Sequence, residues 1–89
     1  MKFTRADMHR MAKYVKEMQK AGIYDVDVAF GKSVFMSPEA FIEVFGDDYT
    51  VTVRDRENYP YKLSQEVDGV EFHTITNNKK LAKVEKTAV

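Results

Sequence analysis

The chain has 89 residues, 44% hydrophobic and 31% charged, with fourteen basic and fourteen acidic side chains and no cysteine. That length makes one domain with one modest core, and the missing cysteines exclude disulfides and thiolate metal sites. The zero net charge hides segregation: residues 1–22 hold six basic side chains against two acids (+4), residues 23–72 four against eleven (−7), and residues 73–89 four against one (+3).

Met1-Lys2-Phe3-Thr4 leads straight into a charged helix rather than the apolar run of a signal peptide. No stretch reaches the ~20 apolar residues of a membrane span. The cytoplasm is therefore the expected location. Thr4 is a good N-cap, and Asp7 three residues on makes a variant capping box. The helix runs to about Ala21, with Gly22 as its C′ residue. At 100° per residue, Tyr14, Met18, Met11, Val15, Met8 and Ala12 fill one continuous arc. Arg5, Lys16, His9, Lys20, Lys13 and Arg10 fill most of the opposite arc, interrupted by Ala6 and Glu17. A methionine stripe at this spacing reads as core, so the expectation is that Met8, Met11, Val15 and Met18 are buried against a sheet.

The period then changes to two. Tyr24, Val26, Val28 and Phe30 alternate with Asp25, Asp27 and Ala29, the pattern of a half-buried strand. Gly31-Lys32 is a turn signal, and Ser33 to Met36 reads as a second strand. Gly31-Lys32-Ser33 is not the end of a phosphate-binding loop, because Val26 stands where the first glycine is required and no helix follows. Ser37-Pro38-Glu39 starts a short helix, with Ser as N-cap, Pro in the first helical position and an acid in the first turn. Phe41, Ile42, Val44 and Phe45 give it an apolar side, and Gly46 ends it.

Tyr49, Val51 and Val53 alternate with polar residues in a third strand. Tyr61–Val67 and Val70–Thr76 flank Asp68-Gly69, the signature of a type I′ hairpin. That two-residue loop sets Val67 opposite Val70, Gln65 opposite Phe72, Leu63 opposite Thr74 and His73 opposite Ser64. Residues 79–89 form a lysine-rich tail, expected to be frayed or weakly helical. The fold class is thus α+β: one domain over 1–78 with a tail over 79–89, in the order α-β-β-α-β-β-β. Its small, mostly antiparallel sheet is expected to pack against the N-terminal amphipathic helix and the short second helix.

No catalytic motif emerges. His9 and His73 have no adjacent nucleophile in a recognisable pattern, and His73 is expected to form an exposed pair with Ser64. Asp25, Asp27, Asp47 and Asp48 match no calcium loop. Asp25 and Asp27 are expected instead to pair across strands with Arg54 and Arg56, which share their spacing. No cofactor or metal is implied. The preferred reading is a non-enzymatic module that binds another protein or itself. Its candidate partner-binding residues are Arg5, His9, Lys13, Lys16 and Lys20 on the helix, with Tyr59 and Tyr61 around Pro60. The alternative is nucleic-acid binding through the same helix face and the tail lysines Lys79 to Lys86; a small enzyme comes third, and no membrane partner is expected. The tiny, cysteine-free, charge-segregated character resembles that of accessory or inhibitor proteins of phages and other mobile elements. No motif carries that resemblance and no residue role follows from it.

Overall fold

A computed structural model describes residues 2–29 and 31–83. It has two helices and one five-stranded sheet: α1 (Arg5–Lys20), β1 (Ile23–Asp27), β2 (Ser33–Met36), α2 (Pro38–Phe45), β3 (Thr50–Val53), β4 (Tyr61–Val67) and β5 (Val70–Thr76). The sheet order is β1-β2-β5-β4-β3. All neighbours are antiparallel except β2 and β5, which run parallel with Val34 beside Phe72. This is the α+β architecture that the alternation and turn chemistry imply.

The β4–β5 hairpin has Val67 opposite Val70, Gln65 opposite Phe72, Leu63 opposite Thr74 and Ser64 opposite His73. Asp68 and Gly69 have φ of 52° and 82°, the two positive values that a type I′ turn requires. β1 ends at Asp27, short of the expected strand, and Val28 beyond it is 81% exposed. Phe30 lies outside the described residues.

The core lies on one face of the sheet, beneath α2. Ser37 caps that helix by accepting from the Ala40 N–H, and Pro38 presets the first helical φ. Phe41 and Leu63 are fully buried, and Met36 nearly so. Phe41 meets Phe45 at 4.7 Å and Tyr49 at 5.8 Å between ring centroids, and Phe45 reaches Phe72 at 6.1 Å. The start of the tail, residues 79–83, forms turns against this cluster, nearer the weakly helical expectation than the frayed one. Leu81 packs on the core and Ala82 is buried. The Tyr49 hydroxyl donates to the Leu81 carbonyl at 2.6 Å, and the Lys83 ammonium sits 4.6 Å from the Tyr49 ring centroid. Lys86 and the remaining tail residues lie outside the described residues.

Two expectations about packing do not hold. The first concerns the methionine stripe: α1 buries no residue, and Met8, Met11, Tyr14 and Val15 are each more than half exposed. The reason is the connection. Only Ala21 and Gly22 separate α1 from β1, the short end of helix-to-strand loops. The N-terminus of α2 also stands against Gly22, where Ser37 donates its N–H to the Gly22 carbonyl at 2.7 Å. The core face is already filled at this end, and α1 leaves the sheet instead of folding back over it. The molecule measures 57 × 24 × 24 Å, elongated rather than round.

The second concerns charge pairing. β1, with Asp25 and Asp27, and β3, which leads into Arg54 and Arg56, are the two opposite edges of the sheet. The parallel β2–β5 pairing keeps them apart, so the acids and arginines are not cross-strand partners. Asp27 instead accepts from the Ala29 N–H, closing a local turn.

Candidate partner-binding surface

α1 is specified by its own residues rather than by packing. Thr4 and Asp7 form a reciprocal capping box: the Thr4 hydroxyl accepts from the Asp7 N–H, and the Asp7 carboxylate accepts from the Thr4 N–H. Arg10 adds an ion pair with Asp7 one turn on. The Thr4 backbone and side-chain donors, followed by Arg10, hold the Asp7 carboxyl below its ordinary value of 3.8. An acid in the first turn and Lys20 in the last both complement the helix dipole. These devices let a 16-residue helix persist with one face uncovered.

That face carries Met8, Met11, Tyr14 and Val15, which are 56%, 54%, 62% and 53% exposed. Met18, nearest the sheet, is half-buried. Arg5, His9, Lys13, Lys16 and Lys20 are all exposed on the opposite side. Among the described residues none of these five joins an ion pair. The cationic set is therefore brought together as one face, and the stripe behind it is open as well.

The two tyrosines around Pro60 have different fates. Tyr59 is half exposed, at φ 52°. Tyr61 opens β4, half-buried between Val53 and Thr76. Tyr59 joins Tyr24, Phe35, Pro38 and Ile75 around a shallow cleft of about 400 Å³. Gly22, the foot of α1, lies between that cleft's Tyr24 and the helix. Alternation alone makes Tyr24 an ordinary strand residue and gives no sign of this cleft. It sits where the β1–β2 register shifts, and its ring meets Phe35 edge-on at 5.3 Å. Of the tail lysines, Lys83 does not continue the cationic face, and Lys86 lies outside the described residues. Lys83 is tied to the Asp47 carbonyl and Tyr49 beside β3, while α1 springs from β1 at the other edge.

No protein-family model, curated protein or solved structure matches this chain.

His73 is not the exposed residue expected. It stacks on Phe35 at 5.3 Å and 11°, and only 20% of its side chain is accessible. Its Nδ1 lies 3.5 Å from Glu71 Oε1. Burial, helped by Lys62 and Arg54 and opposed by Glu71, lowers its pKa below the ordinary 6.5. Among the described residues no hydrogen bond joins it to Ser64, and no three His, Asp or Glu side chains converge as a metal site. No described helix is long and apolar enough to cross a membrane.

Proposed function

We propose that this chain is a non-enzymatic protein-interaction module whose docking element is the apolar stripe of α1. One observation carries the reading: a well-capped, amphipathic 16-residue helix has no buried residue. Contiguous exposed apolar surface on a small domain marks an interaction site. An amphipathic helix laid in an apolar groove is a recurring recognition mode, and methionine adapts its shape to such grooves. Fully burying a Met or Val side chain contributes about 1.5–3 kcal/mol. Met8, Met11 and Val15, the three such residues that stand exposed, give a total comparable to the lower part of the ~4–15 kcal/mol lost on association. The stripe alone therefore supports modest affinity. The basic side chains Arg5, Lys13, Lys16 and Lys20, with His9 beside them on the opposite face, raise the association rate toward an acidic surface, and Tyr59 with Tyr24 offers a second contact at the helix foot.

The test compares wild type with Met11→Asp/Val15→Asp as bait for binding partners. Both face solvent, so the variant should fold. Partners held by wild type and lost by the variant support the reading; identical partner sets with both baits contradict it.

A second reading, nucleic-acid binding through the cationic face, is favoured by one observation. α1 packs chiefly on β1 and buries no residue, so most of its length lies clear of the other acidic elements. Binding to DNA or RNA at ~50 mM salt, where contacts to phosphates are least screened, and its loss on replacing Lys13, Lys16 and Lys20 by Ala, would displace the first reading.

A further inference from the structure

We infer that the stripe of α1 pairs with α1 of a second copy, antiparallel, to make a two-fold dimer; this rests on the stripe being a docking surface. Met8, Met11, Val15 and Met18 are spaced three, four and three residues apart. That is the alternation of a coiled-coil seam, with Met8 and Val15 at a and Met11 and Met18 at d. The positions that flank the seam decide whether a copy carrying the same +4 segment is tolerated. They are Arg5, Ala12 and Gln19 on one side and Asp7, Tyr14 and Ala21 on the other. Only two are charged, and those two are of opposite sign. His9, Arg10, Lys13, Lys16 and Lys20 all occupy outward positions, so the cationic face does not oppose pairing.

Charge also selects the direction. A parallel pair would bring two acidic bodies side by side at the C-terminal ends of the helices. An antiparallel pair sets them at opposite ends and opposes the two helix dipoles favourably. Centred on the seam, it places Met8 against Met18 of the other copy and Met11 against Val15. Arg5 then flanks Gln19 and Asp7 flanks Ala21, with no like-charged neighbours. The same register carries Lys2 and Arg5 to the root of the second helix, where the acidic segment begins with Asp25 and Asp27. It also carries Phe3, 48% exposed, toward Tyr24, 62% exposed. Pairing at both ends is reciprocal, as a two-fold interface requires.

Sedimentation equilibrium from ~1 to ~300 µM covers micromolar-to-millimolar association. The wild-type mass should rise from 10.3 kDa toward twice that value. Met11→Asp/Val15→Asp should stay at the single-chain mass with an unchanged circular dichroism spectrum. Direction is read by mixing Met8→Cys and Met18→Cys chains under oxidising conditions, since the chain has no other cysteine. Disulfides between unlike chains are expected. Met8→Cys chains linked to each other would overturn the antiparallel arrangement. A wild type that stays monomeric would overturn self-association, and a double-Asp variant that still dimerises would overturn pairing through the stripe; either leaves the docking role of the stripe for another protein. A double-Asp variant unfolded at ~1 µM would overturn both, because it would place the stripe in the monomer's own core.

Discussion

Gly22 and Ser37 fix the direction in which α1 leaves the domain. Ser37 donates its N–H to the Gly22 carbonyl at 2.7 Å, and a Cβ on Gly22 would stand 2.7 Å from Ser37 Oγ and 3.1 Å from Ala40 Cβ. Gly22 also has φ of 91°, which side-chain-bearing residues rarely adopt. Gly22→Ala should therefore cost about 1–3 kcal/mol from backbone strain, with the clash in addition. Urea denaturation measures it, and an unchanged midpoint would show that the contact is loose.

Met11 and Phe41 should respond very differently to truncation. Phe41 is fully buried and Met11 is 54% exposed. Phe41→Ala should cost about 3–5 kcal/mol, whereas Met11→Ala should stay within roughly 0.5 kcal/mol in dilute solution, as surface changes do. A Met11→Ala penalty of core size would contradict the placement of α1.

Thr74 is fully buried, and among the described residues its hydroxyl has no hydrogen-bond partner. A buried unsatisfied polar group costs about 1–3 kcal/mol. Thr74→Val keeps the shape and removes the hydroxyl, so it should raise stability by about 1 kcal/mol or more. A lower thermal midpoint for the variant would mean that the hydroxyl is satisfied in solution.

The depressed pKa of His73 has a defined pH signature. Because its folded value lies below the ordinary 6.5, the unfolded chain takes up a proton first as pH falls. The stability it contributes is present above pH 6.5 and is lost as the pH drops through the folded value. Urea midpoints should fall below pH 6.5 in wild type, and His73→Gln should flatten that part of the profile. Superimposable profiles would show that burial of the ring is not felt.

Local chemistry was legible in the sequence. Asp68-Gly69 set the hairpin register residue by residue, Ser37-Pro38-Glu39 started α2, and Thr4 with Asp7 capped α1. Each signal acts within a few residues. Strand order was not legible, because the β2–β5 pairing joins Val34 to Phe72 and nothing local encodes it. The Asp25/Asp27 and Arg54/Arg56 pairs share a spacing, yet the topology puts them on opposite edges. The stripe of α1 shows the deeper limit. Amphipathicity states that Met8, Met11, Val15 and Met18 want cover, not whether the sheet or another chain supplies it. The three-four spacing of those residues fits a seam between helices as well as a core-facing stripe. Tyr24 reads as an ordinary strand residue, because its place beside Tyr59 depends on the register shift in β1 and on a distant segment.

The openness of the α1 stripe is tested most directly by methionine oxidation under native conditions, with Met36 as the internal reference. Met36 is 4% exposed, whereas Met8 and Met11 are more than half exposed. Sulfoxide formation follows accessibility, and peptide mass spectrometry reads each site separately. In dilute solution Met8 and Met11 should oxidise well before Met36, and self-association should slow them as concentration rises. Met8 and Met11 protected as well as Met36 at every dilution would contradict the open stripe and return α1 to the core.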